Sequence, residues 1–226
     1  MNLLALETSS NACSAALTAN EEVLERHVVE PRRHRELLLP FAAALLSERD
    51  IGYADLDGIV LGNGPGSFIG MRIAASVAQG LAFAGGAKLL PVSSLAAVAA
   101  EVTADGAGRR VLVAQDARMG QAYVAEFARD ANGVLVQTRA TSLWDIGTAA
   151  DWPIDAGSVV AGGAWSQHPE LAQIAETRAA EFSGIEYPRA RHLLHLGAEL
   201  LRLDADVPAE ELQPEYVRDE VAARPN

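Results

Sequence analysis

Asn2–Thr8, NLLALET, is an almost unbroken apolar run of strand length, the pattern of a strand covered on both faces. SSNA makes a turn, CSAALTA is a second strand, and NEE turns again. VLERHVV then alternates apolar and polar residues, as a strand with one wet face does. These three predict an antiparallel meander. A helical run follows from about His34 to Glu48. LDGIVLGNG is a strand ending in glycines, Ser67 to Ala84 a long helix, AKLLPVS another strand and LAAVAAEV another helix. Strands alternating with helices predict an α/β architecture.

The pattern then restarts. Arg109 to Phe127 gives a strand ending in Asp116, a tight loop and a second strand; DANG turns into VLVQTRA, a third. Sliding the chain by 109 residues superposes Ala5 on Ala114 and Glu7 on Asp116. The order of parts carries more weight than this thin identity: a meander, then helices, twice over. DGAGRR, Asp105 to Arg110, is the weakest patch, so the expected boundary divides residues 1–105 from 106–226, with a C-terminal tail able to pack back on the first part. A strand ending in an acid, a hairpin loop and two similar βββαβα halves resembles the plan of actin, Hsp70 and the sugar kinases, the actin-like ATPase (ASKHA, ribonuclease H-like) fold. Those proteins bind ATP between their halves, but a fold does not fix a function.

Leu61 to Arg72, LGNGPGSFIGMR, sits where a phosphate cradle would. Gly64 and Gly66 permit unusual backbone angles, and Ser67 can cap the next helix. Helix-start N–H groups can hold an anion. The P-loop lysine is missing, however, and the glycine spacing is not that of a dinucleotide fingerprint. A plain strand-to-helix turn fits the pattern better. The helix after it is apolar on every side, with Phe68, Ile69, Met71, Ile73, Val77, Leu81 and Phe83 interleaved with glycine and alanine. The helix from His34 is similar, and Pro40 is expected to bend it or set its start. Helices apolar all round are buried all round. The cover is either the second half of this chain or another protein's helices.

Composition narrows the choices. The 226 residues allow one large domain or two small ones. No apolar stretch reaches the roughly 20 residues of a membrane span, and MNLLALETSS lacks the basic start of a signal peptide. Cys13 is the single cysteine, which suits a reducing cytoplasm. A net charge of −12 makes the chain a poor holder of nucleic acid on its own. Five histidines show neither HxxxH nor HExxH spacing, and His192 and His195 have no evident third ligand. Ser9, Ser10 and Ser67 have no evident base.

LALETSSNACSAAL, HRELLLP, LGNGPGSFIGMRIAASVAQGLAF, PVSSLAAVA, QDARMGQAYVAEF and PEYVRDEVA together resemble the TsaB (YeaZ) family from end to end. The resemblance implies a non-catalytic subunit that binds and supports TsaD, the transferase that makes N6-threonylcarbamoyladenosine beside the anticodon of tRNAs reading A-starting codons. TsaE, an ATPase, would be a further partner, and tRNA would be met only through the complex. It implies docking through Leu38, Phe41 and Leu45 of the first helix and Ile69, Arg72, Ile73, Ser76, Val77 and Gly80 of the second. Self-association is expected of the lone chain, and its location is expected to be cytoplasmic. No metal or cofactor of its own is expected, although a nucleotide at the partner interface is compatible. Ser94 and Val98 stand where TsaD-like proteins carry metal-binding histidines. Glu7 departs from the usual aspartate of the family. Glu7, Gly64, Gly66, Ser67 and Asp116 form the candidate nucleotide loop set. The alternatives are an actin-like ATPase or phosphotransferase using a cleft between Glu7 and Asp116, with VVAGGAW, Val159 to Trp165, as its adenosine motif, and, last, a metallopeptidase.

Overall fold

The computed structural model describes residues 1–104 and 109–217, so Asp105–Gly108 of the expected boundary and the end of the PEYVRDEVA motif lie outside the described residues. β1 (Leu3–Glu7), β2 (Ala12–Ala19) and β3 (Glu22–Val29) form the meander, with Leu6 opposite Ala15 and Ala15 opposite Arg26. α1 (His34–Glu48) leads to β4 (Gly58–Gly62), which lies parallel to β1. α2 (Phe68–Gly85) leads to β5 (Lys88–Val92), parallel to β4. The order is β3-β2-β1-β4-β5. β1 and β4 are buried throughout, because helices cover both faces of the sheet. Pro40 lies inside α1, and the helix continues through it.

The second sheet repeats the plan. β6 (Val111–Arg118), β7 (Gln121–Arg129) and β8 (Leu135–Asp145) form a meander, and β9 (Val159–Ala161) and β10 (Glu181–Phe182) add parallel strands on the other side of β6. The order β8-β7-β6-β9-β10 matches that of the first sheet strand for strand. The helices are reduced here. A 3₁₀ segment, Ile146–Asp151, stands in the place of α1, and the short α4 (Ala164–Gln167) and α5 (Pro169–Thr177) in the place of α2.

α3 (Ser94–Val102) and α6 (Ala190–Arg202) form the layer between the sheets, and they are exchanged. α3 follows the first sheet, yet Leu95, Val98 and Ala99 pack on Val111, Val113 and Phe127 of the second. α6 follows the second sheet, yet Leu193, Leu194 and Ala198 pack on Leu3, Ala5 and Val60 of the first. Gly197 lets α6 approach, since a Cβ there would stand 2.3 Å from a Val60 methyl. The outer face of the first sheet is covered by α1 and α2, through Leu38, Ala42, Leu45, Ala74 and Ala78. Each such leucine contributes about 1.5–3 kcal/mol on burial. The outer face of the second holds Trp144, Trp152 and Trp165 packed edge to face.

The residues after α6 return along the first sheet. Val207 bridges to Leu89, so the open edge of β5 is partly occupied. Gln79 donates to Ala209 O, Leu212 enters the first core, and Glu215 N–H donates to Asn63 O. The tail ends its described course at the start of α2.

Candidate functional site

Two regions deserve weighing, the outer face of α1 and α2 and a cleft of about 940 Å³ beside the start of α2. The cleft is lined by the β1–β2 turn (Ser9, Ser10, Asn11), the start of α2 (Ser67, Phe68, Ile69), the β6–β7 hairpin (Asp116, Arg118) and the tail (Glu215, Tyr216).

Glu7 ends β1, but its side chain does not enter this cleft. It turns beneath Gly62 and is fully buried, and a Cβ on Gly62 would fall 1.8 Å from its carboxylate. The carboxylate accepts Ser9 N–H at 2.5 Å and the Ser94 hydroxyl at 2.8 Å. Burial pushes this carboxyl above the usual range, against the pull of those hydrogen bonds. The expectation of a cleft between Glu7 and Asp116 is therefore corrected: the space that Gly62 leaves free draws Glu7 away from solvent. Asp116 does line the cleft. Its carboxylate accepts Arg118 N–H at 3.0 Å, pairs with the Arg118 guanidinium at 3.1 Å and lies 3.4 Å from His168 Nε2.

The glycines of the 61–72 segment serve close packing. Gly64 has φ +100°, and a Cβ there would meet Met71 S at 2.3 Å. A Cβ on Gly66 would stand 2.3 Å from Ser9 O, and one on Gly70 1.9 Å from Thr8 O. The loop thus lies tightly on the β1–β2 turn. Ser67 caps α2, accepting Gly70 N–H at 3.2 Å, while its own N–H donates to Ser9 O at 2.6 Å. In VVAGGAW, Gly162 has φ +101° and a Cβ there would stand 2.2 Å from Ala114 O, so this glycine lets the β9–α4 turn press on β6.

A metal-bound nucleotide, implied by an actin-like plan, does not fit these residues. One of the two strand-end carboxylates is sealed under Gly62, and the other is paired with the Arg118 guanidinium and lies beside His168. Ser94 bonds Glu7, and Val98 is sunk in the core. Among the described residues no three His, Cys, Asp or Glu side chains converge on a metal position. His192 lies 3.4 Å from Glu101, and burial pushes its imidazole down to about 4.

On α2 the buried face is Gly70, Met71, Ala74, Ala75, Ala78, Leu81 and Ala82. Of the two expected covers, this chain's second half is not the one: the small residues face the sheet, and the larger ones form an open outer face. Ile69 is 70 % exposed and Phe83 93 %, and Arg72, Ser76 and Gly80 are exposed beside them. Ile73 and Val77 are half-buried at the margin of the first core. On α1, Phe41 is half-buried and Leu39 exposed. Leu38 and Leu45 leave the expected docking set, because they are locked into this chain's own core. Phe83 and Leu39 are exposed apolar residues outside the expected docking set, although helical spacing from Ile69 and Ser76 leads to the former. By length and composition α2 could pass for a membrane span, but its inner face packs on the first core.

The family model of the tRNA N6-adenosine threonylcarbamoyltransferase TsaD matches residues 27–225. The tRNA threonylcarbamoyladenosine biosynthesis protein TsaB of Escherichia coli is 32 % identical, over 98 % of this chain and 96 % of its own. That of Haemophilus influenzae is 30 % identical over 98 % and 95 %. The solved structure of YeaZ from Pseudomonas aeruginosa superposes with a TM-score of 0.84 at 34 % identity, covering 95 % of this chain and 99 % of that one. The chain, with its two like-ordered sheets on the actin-like ATPase plan, belongs to the TsaB (YeaZ) family.

Proposed function

We propose that this protein is a non-catalytic subunit that docks a TsaD-type transferase on the outer faces of α1 and α2, and so supports formation of N6-threonylcarbamoyladenosine in tRNA beside the anticodon. The observation that carries this reading is the open apolar face of α2, in a chain whose named relatives are threonylcarbamoyladenosine biosynthesis proteins. Apolar faces of this kind mark protein contacts. A net charge of −12 leaves tRNA to the partner. A TsaE-type ATPase and a nucleotide at the interface belong to the same proposal, as does a cytoplasmic location. Without its partner the same face pairs with a copy of itself.

The test is the light-scattering mass of the chain alone and mixed with its cognate TsaD protein. A species with one copy of each, replacing a homodimer, supports the reading. Two unchanged peaks, with and without ATP, would remove it. The cleft favours a second reading, an ATPase or phosphotransferase, whose test is ATP turnover by the lone chain. The sealed position of Glu7 and the pairing of Asp116 weigh against it.

A further inference from the structure

Arg72 stands out among the cations of this acidic chain. Its Nε–H donates to the Tyr216 hydroxyl oxygen at 3.0 Å, and among the described residues no carboxylate pairs with it. Its guanidinium carbon lies 3.7 Å from the centre of the Phe68 ring and 5.8 Å from that of Tyr216. The two rings are 5.7 Å apart and tilted by 40°. Phe68 and Arg72 are one helical turn apart on α2, whereas Tyr216 arrives on the tail. Stacking and one hydrogen bond restrain a side chain that would otherwise sample many rotamers. With Nε engaged, the two terminal nitrogens keep the planar fork that fits a carboxylate.

We propose that the tail completes the docking face: Phe68 and Tyr216 clamp Arg72, so that its terminal nitrogens receive a carboxylate of the docked TsaD-type protein. This rests on the docking reading above. A second copy of this chain is the poorer occupant. α2 has no acidic residue, and Glu36 and Glu48 of α1 are already paired with Arg33 and Arg26. In a symmetric contact through α1 and α2, Arg72 would meet the same two helices of a second copy, which offer it no free carboxylate. A different protein can supply one, and such pairs set partner choice.

The experiment is titration calorimetry of the full chain against its cognate TsaD protein, with Arg72→Ala, Arg72→Lys, Tyr216→Phe, Tyr216→Ala and the double alanine variant. Both side chains are exposed, so each variant is expected to fold, and a melting curve checks this. Arg72→Ala should bind at least about 30-fold more weakly, as hot-spot arginines do. Arg72→Lys should not restore binding, because it lacks the fork. Tyr216→Phe should lose less than Tyr216→Ala, and Tyr216→Ala should add nothing in the Arg72→Ala background. Added salt should weaken the wild type more than Arg72→Ala. Wild-type binding by Arg72→Ala, or additive losses in the double variant, would overturn the clamp while leaving the docking reading intact. A homodimer broken by Arg72→Glu with TsaD binding unchanged would overturn it in favour of a second copy. No binding by the wild type would overturn the docking reading itself, and the clamp with it.

Discussion

Glu7 shows how one residue can be legible in kind and illegible in direction. An acid at the end of a buried strand is plain in the sequence. That it turns inward is decided by Gly62 and by Ser94, the latter 87 residues away. Its pKa is raised in the folded protein, so its contribution favours the fold at low pH and is lost as pH rises through the folded value. The Glu7→Gln variant should therefore gain on the wild type above the usual carboxylate range, with a gap that widens up to the raised value. Melting temperatures of both proteins across that interval check this; a constant gap would show that the carboxyl is already ionised throughout. The glycines divide in the same way. Gly70→Ala forces a methyl to 1.9 Å from Thr8 O, while Gly80→Ala meets nothing within 4 Å. The first should cost about 3 kcal/mol or more. The second should stabilise the lone chain by up to about 1 kcal/mol, because a mid-helix glycine is unfavourable in itself. Denaturant unfolding of the two variants separates the cases.

At the scale of elements, the period of apolar residues predicted α1 with the bounds the structure shows, His34 to Glu48. It could not say which apolar side of α2 faces the sheet. The answer lies in volume: Ala74, Ala75 and Ala78 bring the helix close to β4, and Ile69 and Phe83 are left outside. Ile73 and Val77 touch the first core, so an aspartate at either would strain the fold as well as the face. Ile69→Asp is the cleaner probe. It should leave the melting temperature within a few degrees of the wild type and abolish the mixed species with TsaD. A normal complex would move the interface off the first turn of α2. The return of the tail to the first part was within sequence reasoning, but its path was not, since its contacts depend on single hydrogen bonds to Asn63, Gln79 and Arg72 rather than on a repeating pattern.

The molecule as a whole is tied together by its exchanged helices. The repeated order of strands was readable, but the exchange was not, because α3 and α6 are apolar enough to suit either sheet. Each sheet completes its inner face with a helix from the other half, so neither has a finished core alone. Unfolding should be a single transition by both fluorescence and circular dichroism, and a chain of residues 1–104 should not fold by itself. Separate transitions, or a folded fragment, would show that the halves are independent. The exchange also bears on synthesis. A ribosome completes β1 to β5 long before it reaches Ala190, so the growing chain carries one bare sheet face through nearly half of its translation. Until the last helix emerges that face is open to off-pathway contacts, and a chain ended before that point would keep it uncovered.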